Sequence, residues 1–136
     1  MSTLLVDTDV VSFIFKQDSR AANYAKILQG NQLALSFMTV AELFQWAAIR
    51  KWGEARTQQL EQTLTSYLVI PVDIELCRCW GNLRAELQAM GKPISAQDSW
   101  IAATALRYDL VLVTHNEKDF SGIPKLVVQT CPELRK

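Results

Sequence analysis

Five acids stand where short apolar runs give way to turns: Asp7 and Asp9 in LLVDTDVV, Glu42 in MTVAEL, Asp98 in GKPISAQDSW and Asp119 in LVTHNEKDF. Carboxylates gathered at one point repel each other, and some are driven to hold protons unless a cation relieves them. Hard oxygen donors suit Mg2+ or Mn2+. Ions of that kind activate water and stabilise a phosphate in transfer. If the acids converge, the chemistry they serve is phosphodiester hydrolysis.

Each acid also has a structural use. Thr39 and Glu42 spell T-x-x-E, a capping box in which each side chain satisfies the other residue's free N–H. Ser95 with Asp98, and Thr114 with Glu117, repeat the pattern. Asp7 suits an N-cap, and acids near a helix N-terminus are favoured by the dipole. Capping accounts for the hydroxyls better than for the charges. With Thr39, Ser95 and Thr114 available as caps, the carboxylates are free for another role.

The surrounding elements decide whether the acids can meet. Apolar runs at 4–6, 33–36, 67–70, 110–113 and 126–128 read as strands. Helical spacing of apolar residues covers 9–16, 21–29, 39–51, 54–66, 73–90 and 98–108, with Gly30, Gly53 and Gly91 as stop signals. Within 39–51 the expected inner face is Val40, Leu43, Phe44, Ala47 and Ala48. Short apolar strands alternating with helices imply a three-layer α/β/α domain, one unit over 1–136, around a parallel sheet of about four to five strands. Right-handed crossovers bring all strand C-termini to one edge, and ligands of open α/β sheets bind beyond that edge.

Composition narrows the classes. Of 136 residues 49% are apolar, which suffices for a core without a staple. Fourteen basic side chains balance fourteen acidic ones, so there is no global nucleic-acid footprint, though a local one is allowed. Cys77, Cys79 and Cys131 have no zinc spacing and read as reduced thiols of a cytoplasmic protein. No apolar run reaches the roughly 18 residues of a membrane span, and no signal peptide is expected.

LLVDTDVVS at the start, MTVAEL at 38–43, GKPISAQDSWIAATAL at 91–106 and LVTHNEKDF at 112–120 resemble, in order and over nearly the whole chain, the motifs of the PIN domain. The resemblance is closest to its VapC branch, the toxin ribonucleases of bacterial toxin–antitoxin pairs. It implies an Mg2+- or Mn2+-dependent endoribonuclease that cuts RNA, commonly tRNA or ribosomal RNA, by metal-activated water. It assigns Asp7, Glu42, Asp98 and Asp119 as the catalytic, metal-holding acids, with Thr114, Asn116 and Asp9 in support. Asn116 stands where many PIN domains carry the fourth acid, and Asp119 where much of the VapC branch carries it. The implied partners are RNA, a VapB-type antitoxin and a second copy in a homodimer. Phe44, Trp46 and Leu60, on the 39–52 and 54–66 helices, could serve dimer or antitoxin, and the sequence does not divide them between core, dimer and antitoxin.

Other residues invite roles of their own. Lys92, in the loop leading to Asp98, is the preferred contact to RNA phosphate; Lys16, Arg20, Arg50, Lys51, Arg84 and Lys118 are further cations. Trp46, Trp52, Trp80 and Trp100 could stack on bases, although packing accounts for Trp46 and Trp100 as well. His115 reads as a structural histidine. Two rival functions share these residues: a haloacid-dehalogenase-like phosphatase with Asp7 as nucleophile, and a catalytically silent RNA- or partner-binding PIN module.

Overall fold

Strands β1 (Thr3–Val6), β2 (Gln32–Ser36), β3 (Leu68–Ile70), β4 (Val111–Val113) and β5 (Val128–Gln129) form one sheet in the order β3-β2-β1-β4-β5. This computed structural model describes residues 2–131. Every pairing is parallel, and β1 at the centre registers Leu5 against Ala34 of β2 and Leu112 of β4.

Strand residues alternate between two buried faces, as a covered parallel sheet requires. Leu4, Val6, Leu35 and Val113 face α1 (Thr8–Phe15), α2 (Ala21–Leu28), α3 (Phe37–Ile49) and α4 (Glu54–Leu64), meeting Val10, Tyr24, Leu43 and Leu60. Leu5, Ala34 and Leu112 face α5 (Ile74–Ala89), α6 (Ala96–Tyr108) and α7 (Glu117–Phe120), meeting Leu83, Ile101 and Phe120. The result is the expected three-layer α/β/α architecture.

After β3 the chain crosses under the sheet through α5 and α6 and returns beside β1 as β4. Strand order therefore runs outward in one direction from β1 to β3 and in the other from β4 to β5. A crossover of constant hand that reverses direction must change faces. The split leaves a crevice beyond the C-terminal ends of β1 and β4.

Several boundaries differ from the sequence reading. Helix α3 starts at Phe37, and its N-cap is Ser36, whose Oγ accepts from Met38 N at 3.1 Å. Thr39 and Glu42 therefore form no capping box. On the same helix Phe44 and Ala48 are exposed, while Leu43 and Ala47 are buried. Helix α6 starts two residues early, capped by Ser95 Oγ accepting from Asp98 N at 3.0 Å. The last strand lies two residues beyond its expected start, and 117–120, expected as loop, forms α7. That helix begins at Asn116 with no side-chain cap, so Thr114 and Glu117 form no box either. Leu60 is fully buried in its own core and offers nothing to a dimer or an antitoxin.

Candidate active site

Asp7 follows the last residue of β1 and is 6% exposed. It caps α1 in an unusual way, its Oδ1 accepting from the very next amide, Thr8 N, at 2.8 Å. Its Oδ2 accepts from Thr114 Oγ1 at 2.7 Å, across from the end of β4. Thr114 is itself fully buried, and its hydroxyl oxygen accepts from Asn116 N at 3.1 Å. Asp7 is thus held rigidly, with two donors for a group that has room for about four.

Thr8 had no role in the sequence reading, yet it ties two helices together. Its hydroxyl lies 2.9 Å from Glu42 Oε1 and 3.0 Å from Thr39 Oγ1. Asp9 accepts from Val10 N at 2.7 Å through Oδ1, and from His115 N at 3.1 Å and Asn116 Nδ2 at 3.0 Å through Oδ2. Asn116 therefore braces Asp9. Asp98 lies in the first turn of α6, and with Asp119 of α7 it lines one cleft.

These carboxylates feel one another. Burial first, and then the Asp9 charge, push the Asp7 carboxyl up to about 7. Burial raises Asp9 as well. Glu42 is raised by burial, then by Asp98 and Asp9. Asp98 is raised by burial, then by Asp119. Asp98 adds to the shift at Asp7, Asp9 and Glu42, which places it at the electrical centre of the group. Among the described residues no three acids are close enough to clasp one ion by themselves. Asp98 and Asp119 line the cleft, while Asp7, Asp9 and Glu42 are tied to Asp98 through its charge.

The donor chemistry is of the kind a divalent ion that keeps much of its water would accept. Mg2+ typically binds through one or two carboxylates and retains several waters. The donors here are hard oxygens, and a buried carboxyl raised by its like-charged neighbours is where a cation lowers the energy most.

Comparison with known proteins places this arrangement. The PIN domain profile matches residues 4–126. The chain belongs to the PIN-domain family. Ribonuclease VapC1 of Haemophilus influenzae (strain R2866) is 30% identical over 124 residues, spanning 90% of this chain and 92% of that protein. The tRNA(fMet)-specific endonuclease VapC of Shigella flexneri is 25% identical, spanning 90% and 93%. Among solved structures, VapBC2 from Rickettsia felis, bound to a DNA fragment from their promoter, superposes with a TM-score of 0.83 at 27% identity, covering 96% of this chain and 98% of that one. The strand-then-D-x-D that suggested a phosphatase is here the opening of a PIN domain.

Within this PIN domain the remaining candidates fall into place. The His115 ring is half-buried, its Nδ1 2.6 Å from the Tyr24 hydroxyl and its edge against Phe13. It fastens the strand end that carries Thr114 and Asn116 to α2. Trp100 stacks on Trp80 at 4.8 Å and meets Phe37 edge-on. Trp46 lies beneath the Lys16 and Arg50 side chains. Arg84 donates to the Ile94 carbonyl and, at 3.1 Å, to Ser99 Oγ, so it pins the 91–95 loop. The roles of Thr8 and Tyr24 were missed because their partners lie 31 and 91 residues away, and Arg84, expected as a cation for RNA, pins a loop whose carbonyl lies 10 residues away. Among the described residues no helix is long and apolar enough to cross a membrane.

Proposed function

We propose that this PIN domain is a divalent-metal-dependent endoribonuclease of the VapC kind, the toxin of a toxin–antitoxin pair, acting in the cytoplasm on tRNA or ribosomal RNA. One observation supports the reading: Asp98 acts on the charge of both Asp7 and Glu42, and Asp119 acts on that of Asp98, although these acids lie up to 112 residues apart in sequence. Asp7 and Asp98 hold Mg2+ or Mn2+, with Glu42 and Asp119 completing the negative ring. A bound divalent ion supplies charge compensation at the phosphate and eases deprotonation of the attacking water. Thr114 keeps Asp7 oriented by donating to Oδ2. Thr8 aims Glu42, and Asn116 with the His115 amide holds Asp9. Asp98 and Asp119 border the cleft that admits the RNA strand. The solved VapBC relatives support a VapB-type antitoxin as partner, and a homodimer is what the family resemblance implies.

The test is cleavage of total RNA by the purified protein with Mg2+, with EDTA, and as Asp7→Asn, which keeps the shape and removes the charge. Cleavage is expected only in the first case, with a loss of at least about a hundredfold in the variant. Activity that persists in Asp7→Asn or in EDTA refutes the assignment and favours a silent module with a contaminating nuclease. Mapping the new 5′ ends identifies the RNA.

A further inference from the structure

Beside the acid rim lies a cleft of about 600 Å3 lined by Lys92 and Lys118 together with Asp98 and Asp119. That size suits a nucleotide-sized group, not a lone ion. Both ammonium side chains are exposed, and among the described residues neither takes part in a salt bridge. Two cations thus stand beside carboxylates without being neutralised by them.

The backbone on both sides is built to hold Lys92 there. Its own loop leaves α5 through Gly91, at φ +67, with Lys92 N donating to Leu87 O at 2.9 Å. Arg84 fastens the far end of that loop to Ser99. Opposite, Gly122 takes φ +79, and a methyl group there would come 2.7 Å from Lys92 Nζ and 3.2 Å from its Cδ. A methyl group at 122 would make the end of the lysine side chain shift, and the left-handed turn would itself be strained. The glycine does two things: it allows the left-handed turn and it leaves the track along which the lysine stem lies.

We propose that this cleft is a phosphate subsite for the RNA strand, taking on Lys92 and Lys118 the phosphodiester that neighbours the one being cut. The inference rests on the ribonuclease reading. A polyanion approaching a ring of carboxylates needs compensating charge beside the ring, and these two lysines supply it within the same cleft. Because they touch a phosphate that does not react, they set binding more than turnover.

Fluorescence anisotropy of a short labelled single-stranded RNA tests it, using Asp7→Asn protein in Mg2+ so that nothing is cut. Lys92→Met and Lys118→Met should each weaken binding about tenfold and reduce the slope of log Kd against log salt by about 0.7. Lys92→Arg should restore binding. Gly122→Ala should weaken it with no change of charge. Unchanged affinity and salt slope in both methionine variants overturn the subsite, as does failure of the parent protein to bind the probe. With Asp7 restored, the lysine variants should raise KM and leave kcat within about twofold. If the unaltered protein cuts RNA and neither methionine variant raises KM, the subsite alone fails. Lysine-dependent binding in a protein that never cuts RNA sinks the ribonuclease reading and keeps the anion site.

Discussion

At the level of single residues, Asp7 concentrates the conflict of the site. It is almost completely buried, yet its two donors, Thr8 N and Thr114 Oγ1, do not offset the burial and the Asp9 charge, and its carboxyl rises to about 7. A carboxyl raised in the folded state binds more protons there than in the unfolded chain, where its value is 3.8. Its contribution to stability is therefore full below about pH 4 and lost as pH rises through 7. Thermal unfolding in EDTA should show this as a fall in Tm between about pH 4 and 7 that Asp7→Asn reduces by about a few kcal/mol, the remainder coming from Asp9, Glu42 and Asp98, which are raised as well and act in the same sense. Asp18 and Asp73, both lowered by hydrogen bonding, act in the opposite sense at lower pH, so the difference between protein and variant is the quantity to read. If Asp7→Asn has the same pH profile as the parent, Asp7 does not carry the strain. The acids were legible in the sequence because charge at the end of an apolar run stands out. Thr8 was not, because a hydroxyl between two acids acquires its role only when α1 and α3 pack.

Among the elements, α3 shows how a strong local pattern misleads. T-x-x-E at 39–42 is a good capping box on paper, but the helix had already begun at Phe37 under the Ser36 cap. The apolar pair Phe37–Met38 lay between the expected strand and helix, and both side chains pack on the α5–α6 side of the sheet. Moving the start back by two residues turns Thr39 inward to Thr8 and sets Glu42 at the site and not at the cap. The two positions should behave differently. Ser36→Ala should lower stability by about 1 kcal/mol through loss of the cap with turnover retained. Thr39→Val should spare the helix start but free the Thr8 hydroxyl, altering activity more than Tm. Urea unfolding together with RNA cleavage separates them; equal effects on both readouts would mean that Thr39 also belongs to the helix start. Strands and long helices were legible within about two residues, since period-two and 3.6-residue patterns survive burial. The short α7 was not, because four residues carry no period.

For the molecule as a whole, balance and imbalance coexist. Fourteen positive and fourteen negative side chains cancel, and composition alone gave no sign of a charged site. The fold breaks that balance by sending the chain outward from β1 in both directions, so that β1, α3, α6 and α7 deliver their acids to one edge. Strand order is not written in local patterns, so the crossover rules gave the shared edge but not the crevice between β1 and β4. The repulsion gathered there is relieved by a divalent ion but not by a diffuse monovalent cloud, because buried and half-buried charges are poorly screened. Mg2+ should therefore raise Tm by an amount that follows its occupancy, about 2.7 kcal/mol at a hundredfold excess over Kd. NaCl of equal ionic strength should not. Scanning calorimetry at pH 8 after EDTA treatment reads the difference, and an Asp7→Asn, Asp98→Asn double variant should lose it. Equal shifts from the two salts, or a shift that survives in the double variant, would mean that the acids share an edge without sharing a cation.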